Sequence, residues 1–162
     1  MRLSEGVEWT AHACVLLSAL PAGAGLPASA IAEFHALAPA YTAKHMQALS
    51  RAGIVQSSRG PSGGYRLSRP ADKISLLDIV LAIEGGERSF QCTEIRRNGP
   101  CGGTPQDFPR PCGIHSAFNK AEAAWRAELK QVSIQSLADA AAAKATSMRR
   151  TALAHWLDQQ LT

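Results

Sequence analysis

The sequence predicts a mainly α fold with one small β-hairpin, and three observations predict it. Apolar residues recur at helical spacing before residue 53 and again after residue 115. Two short extended runs flank a Gly/Pro/Ser-rich tip at 58–64. From Gly85 to Cys112 there is no periodicity at all. The chain has 162 residues, 46% of them hydrophobic and 19% charged. That size suits one domain, or a small domain with an appendage. No apolar run approaches the roughly 20 residues of a membrane span. Glu5 and Glu8 stand where a signal peptide would be cationic. A cytoplasmic protein with no membrane partner is expected.

Each element follows in order. Leu3, Val7, Ala11, Cys14 and Leu17 keep to one face of a helix over Leu3–Leu20, broken by Pro21 to Gly25. A short helix spans Ala28–His35, with Ile31 and Phe34 expected inside. Pro39 suits the first turn of a third helix through Tyr41, Met46 and Leu49, stopped at Gly53. Two short helices joined by a tight turn make a helix-turn-helix. Ile54–Ser57 and Tyr65–Ser68, separated by Ser58–Gly64, read as a hairpin. This is the order of a winged helix-turn-helix, with the hairpin as its wing. Ser75 with Asp78 three residues on starts a fourth helix, ended by Gly85-Gly86. Residues 1–84 are thus the winged-helix unit and 85–115 a cysteine-containing loop. Phe118, Ala121, Trp125, Leu129 and Val132 mark the seam of a long amphipathic helix, which needs a partner surface, and Ser133–Ala143 gives a shorter helix rich in alanine; together they make 116–145 the dimerisation helix region. Residues 146–162 form a weakly amphipathic tail around Leu153, Trp156 and Leu157.

Residues 1–75 hold seven Lys/Arg and four Asp/Glu, so most of the net charge of +4 sits in the winged-helix half. On the third helix Ala40, Tyr41, Lys44, His45 and Gln47 are candidates for DNA contact: Lys44 for phosphate, Gln47 for base edges, Tyr41 for either. On the wing, Arg59 suits a minor groove, and Gly60 and Ser62 follow it. A winged helix that binds only protein is the alternative. No nucleophile motif, phosphate loop or acid–base pair points to an enzyme.

Four cysteines in a reducing compartment are unsuited to structural disulfides. Cys14 stands in an apolar stretch and reads as a small buried hydrophobe. Cys92, Cys101 and Cys112 crowd into the polar loop, which holds five glycines and four prolines and cannot order itself by burying apolar surface. Thiolates are ligands for iron–sulfur clusters and zinc. The wide, unequal spacing lacks the close pairs of structural zinc and fits a cluster better. Thiol–disulfide sensing would produce the same pattern. Glu8 and His12, four apart, share a face of the first helix and form either an oxygen–nitrogen ligand pair or an ordinary surface pair.

The wing Arg59-Gly60-Pro61-Ser62-Gly63-Gly64-Tyr65-Arg66-Leu67, the three-cysteine loop and the long helix resemble the Rrf-two family of bacterial regulators. The resemblance covers about residues 1–145. It is strongest to the family's redox regulators, through Gly6–Trp9, Met46–Gly53, Cys92–Arg96 and Glu122–Ala127. It implies a homodimer, paired through the long helix around Trp125, that binds a near-palindromic operator as a repressor. It also implies an iron–sulfur cluster sensing redox state or nitric oxide, 2Fe–2S in the redox branch and 4Fe–4S as the alternative. The ligands it implies are Glu8 and His12 of one subunit with loop cysteines of the other, Cys112 first and Cys92 next. Cys101 is then ligand, spare or resolving thiol, and His115, three residues beyond the last cysteine, is the alternative fourth ligand.

Overall fold

The computed structural model describes residues 3–60 and 63–161. Seven helices and one hairpin follow in the order α1 (Glu5–Ser18), α2 (Ala28–Phe34), α3 (Pro39–Arg51), β1 (Val55–Ser58), β2 (Gly64–Leu67), α4 (Leu76–Glu84), α5 (Gly113–Gln131), α6 (Ile134–Lys144) and α7 (Ser147–Leu161). The fold is mostly helical with a two-stranded antiparallel sheet, as expected. It is a winged helix extended by a long helix and two shorter ones.

Local chemistry accounts for the boundaries. Glu5 and Glu8 in the first turn of α1 suit the positive end of the helix dipole. Its inner face buries Val7, Ala13, Cys14 and Leu17. Pro39 opens α3, and Gly53, at φ +68, closes it just past the cap residue Ala52. Thr42, Met46 and Leu49 give α3 its buried stripe. In the hairpin Val55 pairs with Leu67 and Ser58 with Gly64. The hairpin is rooted by Leu26, whose N–H donates to the Tyr65 carbonyl at 3.0 Å and whose carbonyl accepts from Tyr65 N–H at 2.7 Å. Gly64 allows that approach: its φ is +128, and a Cβ there would lie 2.3 Å from the Leu26 carbonyl carbon. Ser75 and Asp78 form a reciprocal capping box on α4, at 3.1 and 2.8 Å.

The core joins α1, α2, α3 and α4 through Ile31, Met46, Leu49 and Ile79, each 0–1% exposed. Ile134 of α6 is fully buried in the same cluster. Burial of such a side chain contributes about 1.5–3 kcal/mol. A backbone bridge reinforces it: Leu76 N–H donates to the Val132 carbonyl at 2.8 Å, and Ile134 N–H to the Ile74 carbonyl at 2.9 Å. The long helix is thereby tied at its C-terminal end to the winged-helix body.

Several expectations need correction. Phe34 is 38% exposed rather than interior, because it lies at the end of α2, where the ring of Trp156 of α7 meets it at a tilt with ring centroids 4.7 Å apart. The tail is a full helix whose Leu153, Trp156, Leu157 and Leu161 pack against the core cluster. The long helix starts at Gly113, directly after Cys112, rather than at 116, and the shorter alanine-rich helix follows it as α6, as expected. Its single buried residue is Glu122, and Phe118 is 52% exposed. Cys14, by contrast, is fully buried as expected, and burial pushes its thiol pKa up to about 12. Among the described residues no helix is long and apolar enough to cross a membrane.

Candidate DNA-reading surface and cysteine loop

With Thr42, Met46 and Leu49 turned inward, Ala40, Tyr41, Lys44 and Gln47 fall on the exposed side of α3. Lys44 Nζ stands 5.8 Å from the Tyr41 ring centroid. His45 differs from these four: it is half-buried and packs onto α1. A Cβ on Gly6 would lie 2.5 Å from His45 Cε1, so the imidazole rests directly on the α1 backbone. Tyr41 meets His45 edge-on at 4.6 Å and Trp9 at 5.3 Å, and Trp9 meets His45 at 6.2 Å. Burial, then the Lys44 charge, holds the His45 pKa below the ordinary range. Arg59 and Gly60 are exposed at the wing tip, where Gly63 N–H donates to the Gly60 carbonyl at 2.9 Å. Ser62 lies outside the described residues.

The cysteine loop enters and leaves through fixed points. Glu122 Oε2 accepts from Ser89 N–H at 3.0 Å, and its Oε1 from Arg126 Nε at 2.8 Å. Arg126 Nη2 donates to the Gly86 and Glu87 carbonyls at 3.3 and 3.2 Å. Desolvation works to raise the Glu122 pKa, but the Arg126 and Ser89 hydrogen bonds outweigh it and hold the carboxyl below its ordinary value. Phe90 stacks on Phe118 at 4.6 Å. At the far end the loop runs through Cys112 straight into α5.

Within the loop, Arg96 is the hub. It donates to both Glu94 carboxylate oxygens and, at 3.1 Å, to the Arg110 carbonyl. Its guanidinium lies 4.7 Å over the Phe108 ring. The Glu94 hydrogen bonds raise its pKa against desolvation, with smaller electrostatic contributions from Glu94, Cys112 and Cys92. Cys92 Sγ in turn accepts from Glu94 N–H at 3.4 Å.

Cys92 and Cys101 are exposed and Cys112 is half-buried. His115 Nε2 is 2.7 Å from Asn119 Nδ2, while its Nδ1 is buried without a hydrogen-bond partner. Glu8 and His12 are exposed on α1, with the His12 ring 5.8 Å from that of His35. Among the described residues no three His, Cys, Asp or Glu side chains converge as a metal site within one chain. The Arg96 hydrogen bonds thus join the stretch after Cys92 to the stretch before Cys112, and among the described residues no cluster brings Glu8 and His12 to them. Sequence reasoning assigned no role to Glu122, Arg126, Arg96, Gly6 and Trp9, although the segments that carry the resemblance contain all five. Only the i, i+4 spacing of Glu122 and Arg126 signalled a pair.

A helix-turn-helix with an exposed polar face, followed by a wing carrying an arginine, defines a winged-helix DNA-binding protein. The chain belongs to the Rrf2 family, described as iron-dependent transcriptional regulators, whose pattern matches residues 3–140. It is 31% identical over 139 residues to the HTH-type regulator assignment YffB of Lactococcus lactis, covering 86% of this chain and 88% of that one. It is 33% identical over 110 residues to protein aau3 of Rhizobium meliloti, covering 68% of each chain. Among solved structures, the T. potens IscR superposes with a TM-score of 0.66 at 22% identity, over 91% of this chain and 93% of that one. CymR, the global cysteine regulator of B. subtilis, superposes with a TM-score of 0.64 at 21% identity, over 86% and 97%. The family is one of transcriptional regulators rather than enzymes, and this chain is an Rrf2-type helix-turn-helix regulator.

Proposed function

We propose that the chain works as a homodimer that represses transcription from a near-palindromic operator and senses redox state or nitric oxide through an iron–sulfur cluster, 2Fe–2S, shared between copies. The observation that carries this reading is two incomplete ligand sets on one chain. Arg96 ties the stretch after Cys92 to the stretch before Cys112, and Glu8 and His12 are exposed one turn apart on α1. Soft thiolates and a borderline imidazole suit iron, and each half supplies what the other lacks. Two copies exchanging halves complete four ligands. His115, whose Nδ1 has no partner, is the alternative fourth ligand, and Cys101 stands as spare or resolving thiol.

In this reading residues 1–84 read DNA, 85–115 carry the thiols, 116–145 pair the copies and 146–162 brace α2. When bound, the cluster supplies a one-electron couple and an iron centre open to nitric oxide. The chain's own residues carry the rest. Glu8 and His12 lie on the helix whose Trp9 and Gly6 touch Tyr41 and His45 of α3. A shift of α1 therefore presses on the recognition helix, and two such helices must match half-sites about one DNA turn apart. Ala40, Tyr41, Lys44 and Gln47 meet the major groove and Arg59 the minor groove.

Purification without air tests the cluster: a brown protein with iron and sulfide is expected, and a colourless one without them refutes it. His12→Ala should change the visible spectrum while His115→Ala leaves it intact; the reverse would transfer the role. Arg59→Ala should weaken operator binding, and unchanged affinity and specificity would refute the wing assignment. A cluster-free thiol–disulfide regulator is the second reading, favoured by the exposure of Cys92 and Cys101.

A further inference from the structure

We propose that Arg96 is the positioning residue of the cysteine loop: it brackets Cys92 and Cys112 into one thiol pair and places a fixed positive charge beside whatever anionic centre the pair holds. This rests on the reading of those two thiols as the working pair and adds the residue that selects them.

The geometry is specific to Arg96. Its fork grips Glu94, two residues beyond Cys92, and the same Glu94 donates its N–H to Cys92 Sγ at 3.4 Å. Its Nη2 also holds the Arg110 carbonyl at 3.1 Å, two residues before Cys112. The guanidinium plane covers Phe108 at 4.7 Å, fixing the segment that leads to that carbonyl. One side chain thus ties the stretch after Cys92 to the stretch before Cys112, across a loop with no apolar core. A lysine has no planar fork and cannot make all these contacts, although it keeps the charge. Arg97, next in sequence, has no corresponding set of bonds among the described residues.

Two consequences separate bracket from charge. Chain statistics favour the short closures 92–101 and 101–112 over the longer 92–112, because closure cost grows with loop length. Preferential joining of Cys92 to Cys112 therefore needs a bracket. Separately, an electron added to a thiolate-bound centre is stabilised by a neighbouring cation, so the cation raises the reduction potential.

The test uses the full chain as wild type, Arg96→Gln and Arg96→Lys, with folding checked by circular dichroism. The metal-free, reduced chain is treated with diamide, which accepts two electrons and two protons as two thiols join into a disulfide, and the linked peptides are identified by mass. The Cys92–Cys112 link should dominate in wild type, and both variants should shift to the shorter links. Wild type that yields mainly the shorter links, or an Arg96→Gln variant that keeps the wild-type pattern, overturns the bracket. The chain is then reconstituted without air using ferrous iron and sulfide, and the midpoint potential is titrated. Arg96→Gln should move the potential negative and Arg96→Lys should recover most of that shift. A wild-type potential in Arg96→Gln overturns the charge role. Failure of wild type to take up iron, with the Cys92–Cys112 preference intact, sinks the cluster reading and leaves the bracket standing.

Discussion

Replacing Gly64 by alanine should unseat the wing, and the size of the effect can be worked from the structure. Gly64 sits at φ +128, where an L side chain costs about 1–3 kcal/mol. The added Cβ would lie 2.3, 2.5 and 2.7 Å from the Leu26 carbonyl carbon, its oxygen and Pro27 N, all backbone atoms that cannot rotate aside. Relief requires the hairpin to move off Leu26, weakening its two hydrogen bonds to Tyr65, each worth about 0.5–1.5 kcal/mol. The total is about 2–6 kcal/mol, a large share of the roughly 5–15 kcal/mol that holds a domain folded. Gly60→Ala is the control. It meets the same strain at φ +112 but finds nothing within 4 Å of its Cβ, so only the first part of the loss applies. Urea unfolding followed by circular dichroism should show a lower midpoint for Gly64→Ala than for Gly60→Ala, with equal slopes. Equal midpoints for the two variants would refute the claim that Leu26 roots the wing.

Three further outcomes follow from the described contacts. Ser75→Ala removes the capping hydroxyl of α4 and should cost about 1 kcal/mol, lowering Tm by about 2–4 °C; an unchanged Tm would mean that Arg69 and Asp78 hold the turn without it. Iodoacetamide should label Cys92, Cys101 and Cys112 in the reduced native chain and leave Cys14, with its thiol pushed up to about 12, until urea unfolds it; native labelling of Cys14 would contradict its burial. His45 binds its proton less readily folded than unfolded, so its contribution is present above the ordinary value of 6.5 and is lost as pH falls through the lowered folded value. His45→Gln should flatten the acid side of the stability–pH curve, and an identical slope in wild type would show that another group carries it.

What the sequence revealed and what it hid divide along physical lines. Helical period found α1, α3 and α5, and the pairs Ser75–Asp78 and Pro39–Gly53 marked where α4 and α3 begin or end, because these signals are local. The wing was legible for the same reason, since its turn residues lie between its strands. Contacts between distant elements were not. Nothing near Phe34 in sequence announces that Trp156 covers it, and α7 looked weak because its four packing residues lie on a short stretch. The buried place at the middle of α5 fell to Glu122, which composition would assign to solvent, because Arg126 and Ser89 satisfy it there. Likewise Gly6 reads as a poor helix residue until His45 is found lying on it. Residue chemistry singled out Cys92 and Cys112, but only the path of the loop let Arg96 tie together the stretches beside them.

The anchoring of that loop at both ends makes its length a free parameter. Glu122 and Arg126 fix the chain at Gly86–Ser89, and the start of α5 fixes it at Cys112. Residues added or removed between these points leave the winged helix and the long helix where they are, and doubling such a segment costs only about 0.6 kcal/mol. Related regulators can therefore drift in cysteine spacing at little cost in stability, so a fixed ligand interval is a poor guide across such proteins. The acid–arginine clamp on the helix facing the loop's entrance is the better signature to search for.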